Sequence, residues 1–261
     1  MSHTPPIFIN HSKNTVGYFT ISNPQNLIIF VHGFNGSTVD TWNDFPALIK
    51  ENNEYQNSDV IFYGYESLKG QANNNALRFY NFLQIIADGN TNRVGYSRDG
   101  NTQYNKILIV AHSLGSLIVR RALLNAKAEN KIWLTITNMI LFAPAHRGAR
   151  IQNLLTESLP TLGKIFAGLG FITIPVFDDL RPESQTIQNL IQETEQLLQN
   201  NQGDFTIAHK VVWANNEIVV HNERFCQDPI AILIDNKTHT KVCKPNNPNF
   251  LQPFDIVTDA L

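Results

Sequence analysis

The chain has 261 residues, enough to bury a full core as one α/β domain. Its composition is typical of a globular protein, with 43% hydrophobic residues, 16% charged residues and a net charge of −2. This weakly negative charge, with no basic run longer than Arg120-Arg121, argues against a nucleic-acid partner.

Targeting signals, metal-ligand motifs and membrane spans are not evident in the sequence. Residues 1–6 lack the charged start and apolar core of a secretory signal, so we expect a cytoplasmic location. Cys226 and Cys243 do not have the spacing of metal ligands, and we expect two free thiols, no metal and no cofactor. The most apolar stretch, 162–177, is interrupted by a lysine, glycines and a proline, and falls short of the ~18–20 apolar residues that cross a bilayer.

Strand and helix patterns alternate through the first part of the chain. The predicted elements are a hairpin over 7–9 and 16–21, a strand over 27–31, a helix over 41–50 whose start Pro46 can delay, a strand over 60–63 and a helix over 74–87. The polar, glycine-containing stretch 89–106 predicts an exposed connection.

The same alternation continues to the C-terminal part. The predicted elements are a strand over 107–110 followed directly by a helix, a strand over 136–142, an insertion over 150–184, a helix over 186–199 with Ser184 as its N-cap, a strand over 210–214 and a strand over 230–234. Alternating strands and helices predict an α/β fold with a mainly parallel sheet that is covered on both faces.

One turn of small residues carries the strongest chemical signal. Ser113 lies between the strand over 107–110 and the following helix, with Ala111 two residues before it and Gly115 two residues after it. Larger flanking side chains would clash with the adjacent strand and helix, and the serine backbone itself is strained by ~1–3 kcal/mol. The pattern is typical of a nucleophile elbow, which lifts a serine hydroxyl above the edge of a parallel sheet.

Three motifs together resemble the α/β-hydrolase superfamily, specifically its lipase-like serine esterases. They are H-G-F-x-G at 32–36, A-H-S-L-G at 111–115 and P-A-H-R-G at 144–148. The resemblance implies an α/β-hydrolase fold in a single domain, 1–261, with a helical cap inserted at 150–184. It also implies a hydrolase of carboxylic esters that works through a Ser-His-acid triad and an acyl-enzyme.

The resemblance implies that Ser113 is the nucleophile and that the triad order is Ser, acid, His. His209 precedes any suitable acid, which leaves His221 and His239. His239 lies in a polar loop, and the residues at 242–245 resemble the stretch that follows the catalytic histidine in these esterases. We therefore expect His239 to be the base.

The acid is expected just after the strand over 210–214. Glu217 stands there, directly before the apolar residues 218–220. Many relatives have Asp at this place, and Glu is a known substitute, so we expect Glu217 to be the acid. Three alternatives remain open: Asp178, Asp179 and Asp228.

The oxyanion that forms during ester cleavage must be held by backbone N–H groups. The resemblance implies the N–H of Leu114, directly after the nucleophile, and the N–H of Phe34 in the turn after the strand over 27–31. His32 is expected to brace this turn, and His146 and Arg147 to fix the floor of the pocket. His112 is expected to pack in the core, with a chemical role as an open alternative. A substrate contact by Arg147 is likewise an open alternative.

The insertion at 150–184 is rich in Leu, Ile and Phe. These residues either cover the sheet or form a lid for acyl chains, with Gly163, Gly168 and Gly170 as hinges. We expect a small-molecule or lipid ester as substrate, met at a membrane surface without insertion where it is membrane-bound. A non-catalytic binding module, an acyltransferase and an acyl-protein thioesterase remain as alternatives, and no residue pattern indicates a protein partner.

Overall fold

The computed structural model describes residues 2–10, 13–98, 102–159 and 174–261. These residues contain a sheet of eight strands in the order β1-β2-β4-β3-β5-β6-β7-β8. The strands are β1 (Ile7–Ile9), β2 (Thr15–Tyr18), β3 (Asn26–Val31), β4 (Ser58–Tyr63), β5 (Lys106–His112), β6 (Thr137–Phe142), β7 (Lys210–Ala214) and β8 (Ile232–Ile234). Only β1 and β2 run antiparallel to their neighbours, which confirms the predicted mainly parallel sheet.

The central strands are buried on both faces of the sheet. Residues 27–31 of β3 and 107–111 of β5 are fully shielded from solvent. Successive side chains of a strand point to opposite faces, so continuous burial means that both faces are covered. This is why these strands appear in the sequence as unbroken apolar runs.

The structure describes seven α-helices. They are α1 (Phe45–Glu51), α2 (Ala72–Ala87), α3 (Leu114–Ala128), α4 (Ile151–Ser158), α5 (Pro175–Asp179), α6 (Gln185–Gln199) and α7 (Gln252–Thr258). Helices α2 and α3 pack against each other, and α3 also contacts α6. Helices α1 and α7 meet through the rings of Phe45 and Phe254, whose centroids lie 5.7 Å apart.

Two helix boundaries follow the predicted signals. Helix α1 begins only at Phe45, with Pro46 in its first turn, because a proline lacks the N–H that a helix interior requires. Ser184 caps α6 by accepting a hydrogen bond from the N–H of Ile187 at 3.2 Å. Helix α7 has no counterpart in the prediction, since seven residues with a proline in the first turn are too short for a clear helical period.

The connection predicted to be exposed at 89–106 is exposed at many of its described residues but buried at others. Thr91, Val94 and Tyr104 are buried. The reason is the buried carboxylate of Asp59, which receives two hydrogen bonds from Arg98, both 2.9 Å long, and one from the Tyr104 hydroxyl at 2.7 Å. A buried carboxylate must be paired, so the connection folds over the sheet to supply its partners.

The cap predicted at 150–184 is described only at its two ends, by α4 and α5. Residues 160–173, which include the proposed hinges Gly163, Gly168 and Gly170, lie outside the described residues. Over the described ranges, no helix combines the length and the apolar composition needed to cross a membrane.

A buried ion pair joins α3 to the segment before β8. Arg120 and Asp228 are both almost completely buried and their side chains form a salt bridge. Asp228 also accepts a hydrogen bond from the N–H of Ala208 at 2.9 Å, and Arg120 donates to the carbonyl of Thr206 at 2.5 Å. The pair therefore fixes two loops against the elbow helix.

Replacing Asp228 with asparagine should lower the free energy of unfolding by about 3–5 kcal/mol, because Arg120 would remain buried without its countercharge. Urea denaturation measures this loss. The matched control is Glu193→Gln, since Glu193 pairs with Arg121 at 2.6 Å but both side chains are partly exposed. We expect the control to lose less than about 1 kcal/mol, and equal losses in the two variants would contradict the assignment.

Candidate active site

Ser113 occupies a strained turn between β5 and α3. Its backbone has φ +52° and ψ −122°, a region that residues with a side chain rarely adopt. The Ser113 N–H donates to the carbonyl of Phe142 at 3.0 Å, and the Ser113 carbonyl accepts from the N–H of Ala145 at 3.1 Å. These bonds tie the turn to the end of β6 and hold it in its strained conformation.

The small residues around Ser113 are required by close backbone contacts. A Cβ atom on Gly115 would lie 2.5 Å from the carbonyl oxygens of both Val31 and His32. A Cβ atom on Gly33 would lie 2.8 Å from the Cβ of Ser113. Gly33 and Gly115 therefore allow the turn after β3 to lie directly against the elbow.

Three side chains from distant parts of the chain form a continuous hydrogen-bond relay. The Nε2 atom of His239 lies 2.9 Å from the hydroxyl oxygen of Ser113, and its Nδ1 atom lies 3.1 Å from Oε2 of Glu217. All three residues are buried. With Nδ1–H donating to Glu217, Nε2 is free to accept the proton of the Ser113 hydroxyl.

Glu217 is held as a carboxylate by its own loop. Its Oε1 atom accepts hydrogen bonds from the N–H groups of Val219 at 2.7 Å and Val220 at 3.2 Å. Burial acts to raise the pKa of Glu217, but the hydrogen bond and charge of His239 and the two N–H donors outweigh burial, so this pKa lies below its usual value. Glu217 is therefore ionised at neutral pH and can orient the imidazole.

The structure does not bring the alternative acids to His239. Asp228 is paired with Arg120. Asp179 accepts hydrogen bonds from the N–H of Ala72 and the hydroxyl of Thr186, both at 2.7 Å. Asp178 is exposed and lies 3.5 Å from Arg181.

Two backbone N–H groups beside Ser113 are available to hold an anion. Leu114 is the first residue of α3, and first-turn N–H groups have no partner within a helix. Phe34 lies in the turn after β3, and among the described residues neither its N–H nor that of Leu114 has an acceptor. Both groups belong to turns that contact Ser113.

His32 braces the turn that carries Phe34. Its Nδ1–H donates to the carbonyl of Gly33 at 2.8 Å, and its Nε2 accepts from the N–H of Tyr65 at 3.3 Å. The Tyr65 ring stacks on the imidazole at 4.3 Å, and the Tyr65 hydroxyl donates to the His32 carbonyl at 2.9 Å. Burial lowers the pKa of His32 to about 4, so the ring is neutral at physiological pH.

His112 connects the elbow to the loop that carries His239. Its Nε2–H donates to the backbone carbonyl of His239 at 2.9 Å, and the two ring centroids lie 4.9 Å apart. Burial lowers the pKa of His112 well below its usual value, so the ring stays neutral. The sequence predicted that His112 packs in the core but not this contact, because nothing local indicates a partner 127 positions away.

The two described ends of the predicted cap contact the turn after β3. The Asn35 side chain donates to the carbonyl of Ser158 at 2.7 Å, at the end of α4. The Phe34 ring lies 5.1 Å from the ring of Phe177 in α5. Arg147 instead donates to the carbonyl of Arg224, at 3.3 Å from Nε and 3.1 Å from Nη2.

In the part of the chain that the structure describes, no three His, Cys, Asp or Glu side chains are grouped in a way that would hold a metal ion.

A match to one protein family covers the N-terminal part of the chain, including Ser113. A family described as "Putative serine esterase (DUF676)" matches residues 21–176. The match includes the turn after β3 and the elbow, and it ends before Glu217 and His239. A search of curated proteins found no match.

Solved structures with the same fold include three named hydrolases. The mature lipase BlEst2 from Bacillus licheniformis has a TM-score of 0.57 and 17% identity, over 93% of this chain and 96% of that one. The siderophore hydrolase EstB from Aspergillus fumigatus has a TM-score of 0.57 and 14% identity, over 98% and 95%. Phospholipase PlaB from Legionella pneumophila has a TM-score of 0.50 and 19% identity, over 72% of this chain but only 39% of its own length.

The contact from His112 predicts how its variants behave. His112→Leu removes the donor to the His239 carbonyl, whereas His112→Gln keeps an N–H at a similar distance. A displaced imidazole slows proton transfer, so we expect Ser113 in the Leu variant to react with a fluorophosphonate about 10- to 100-fold more slowly than in wild type. The Gln variant should stay closer to wild type, and equal losses in two folded variants would show that the hydrogen bond is unimportant.

Proposed function

This chain belongs to the family described as "Putative serine esterase (DUF676)", and from that premise we propose that it cleaves carboxylic esters with Ser113, His239 and Glu217 as its catalytic triad. The membership and the α/β-hydrolase fold make the protein an esterase- or lipase-like hydrolase. The observation that carries the triad is the unbroken relay from the Ser113 hydroxyl through His239 to Glu217, at 2.9 and 3.1 Å.

In the first half of the reaction, the Ser113 oxygen attacks the ester carbonyl carbon while its proton passes to Nε2 of His239. The carbonyl oxygen becomes an oxyanion and accepts hydrogen bonds from the N–H groups of Leu114 and Phe34. His239 then returns the proton to the alcohol oxygen as the carbon–oxygen bond breaks. The alcohol leaves and the acyl group stays on Ser113.

In the second half, a water molecule takes the place of the alcohol. His239 removes a proton from the water, which attacks the acyl carbon and forms a second oxyanion. When this intermediate collapses, the proton returns to the Ser113 oxygen and the carboxylic acid is released. The same relay therefore serves both steps.

Glu217 and the two N–H groups stabilise the charges that appear during these steps. Glu217 keeps the proton of His239 on Nδ1 and stabilises the imidazolium that forms when Nε2 is protonated. The N–H groups of Leu114 and Phe34 have no acceptor within the described residues and would donate to the oxyanion, and one such donor contributes about 10²–10³ in turnover.

The proposed substrate is an ester with an apolar acyl group. The ring of Phe34, whose N–H would hold the oxyanion, packs against Phe177 of α5, so the surface beside the reacting carbon is aromatic. Two of the proteins that share this fold are named as a lipase and a phospholipase. An apolar acyl chain would bury its surface against these rings.

Variants of the triad test the reaction. Ser113→Ala removes the nucleophile and His239→Ala removes the base, so both should abolish fluorophosphonate labelling and ester turnover. Glu217→Gln should reduce turnover by several orders of magnitude, because the amide favours the wrong imidazole tautomer. The readout is p-nitrophenyl ester hydrolysis at matched urea stability. The control, Asp179→Asn, alters a rival acid, and a loss there larger than in Glu217→Gln would move the acid role.

The acyl-chain dependence tests the substrate class. We expect kcat/KM for p-nitrophenyl esters to rise from acetate to medium-chain acyl groups, since each buried CH₂ contributes about 0.8 kcal/mol to binding. Phe177→Ala should flatten this dependence while leaving acetate hydrolysis nearly unchanged. A wild-type preference for acetate would rule out the apolar acyl substrate and leave the triad standing.

A further inference from the structure

A concave site lies beside β7 and β8, and none of the proposed catalytic residues lines it. The cavity has a volume of about 360 Å³. Its lining includes His146, Trp213, Phe225, Ile230, Ala231 and Leu233. This volume lies within the range of cavities that hold small molecules, and most of the lining is apolar.

His146 is a buried polar side chain in the wall of the cavity. The residue is 1% exposed, and neither ring nitrogen has a hydrogen bond of good geometry within the described residues. Burial lowers the pKa of His146 well below its usual value, while a contact with the Glu223 backbone acts to raise it. The ring is therefore neutral, and with its N–H toward the Glu223 carbonyl it leaves the other nitrogen as an acceptor.

The aromatic walls of the cavity are held in place before any ligand arrives. The centroids of the Phe225 and Trp213 rings lie 4.8 Å and 6.2 Å from the centroid of the His146 ring. The guanidinium of Arg120 packs over the Phe225 ring at 4.2 Å from its centroid, and Arg147 donates to the carbonyl of the residue before Phe225. The site is preorganised, so binding does not require a loop to fold.

The chemistry of the cavity restricts what can occupy it. Asp228 lines the cavity and is paired with Arg120. Glu223 and Arg224 also line it and carry opposite charges, so the lining has no net charge. Two large apolar side chains at the cavity are strongly exposed, Ile230 at 89% and Leu233 at 57%. An uncharged molecule with an apolar body suits this lining, and its hydroxyl group can donate to the free nitrogen of His146.

We propose that this cavity binds a small uncharged molecule that has an apolar ring or chain and a single hydroxyl group, with the hydroxyl on His146 and the apolar body between Trp213 and Leu233. The site is separate from the ester-cleaving relay, and the proposal does not depend on the proposed function. Its occupant would be a ligand of the protein rather than the reacting part of the substrate.

The test compares benzyl alcohol with toluene, which share a ring and differ in the hydroxyl. The chain has three tryptophans, so its indole N–H signals can be followed individually by ¹H–¹⁵N NMR in the intact protein, with Trp213→Phe identifying the signal at the cavity. Benzyl alcohol should shift the Trp213 signal saturably. The signals of Trp42 and Trp133, which do not line the cavity, should stay in place.

Two variants separate the contributions of the hydroxyl and the apolar body. His146→Leu should weaken benzyl alcohol binding about tenfold, while toluene binding changes little. Ala231→Phe fills the cavity from a partly exposed position and should abolish binding of both compounds, which keeps the test informative where His146→Leu does not fold.

Three outcomes would overturn the proposal. The first is no saturable shift of Trp213 with folded wild-type protein, which would mean that water alone pairs with His146. The second is equal affinity of His146→Leu and wild type for benzyl alcohol. The third is unchanged binding in folded Ala231→Phe, which would place the ligand elsewhere.

Discussion

The left-handed backbone of Ser113 is the constraint on which the site depends. A residue with a side chain adopts this conformation only when the surroundings hold it there. Here the end of β6 supplies hydrogen bonds to both sides of the Ser113 peptide, and Gly33 and Gly115 let the turn after β3 press against it. The strained turn places the hydroxyl at the end of β5, directly before the first N–H groups of α3.

Parallel strands explain how residues so far apart in the sequence meet. The carboxyl ends of parallel strands lie along one edge of a sheet, and β5, β7 and β8 are followed there by Ser113, Glu217 and His239. Pairing of these strands therefore brings the three residues to one edge of the sheet. Loop contacts then fix their positions, as the hydrogen bond from His112 to the His239 carbonyl illustrates.

Buried histidines serve different purposes in this fold. His32 and His112 are neutral rings: His32 ties the turn after β3 to the backbone of Tyr65, and His112 ties the His239 loop to the elbow. His146 is equally buried and lines a cavity, and neither of its ring nitrogens has a hydrogen bond of good geometry within the described residues. Burial keeps all three rings uncharged, so the chemistry of each follows from what lies opposite its nitrogens.

Local patterns in the sequence were sufficient for the mainly parallel sheet, for the strand-turn-helix around Ser113 and for the delayed start of α1 at Pro46. Each depends on backbone sterics or burial period within about ten residues. They could not show that parts of 89–106 are buried, because Asp59 and its partners are distant in sequence. For the same reason the sequence favoured Glu217 by its place after β7 but left Asp228 open as an alternative acid. Only tertiary packing decided that one carboxylate contacts an imidazole and the other an arginine, because partner choice depends on which strands become neighbours.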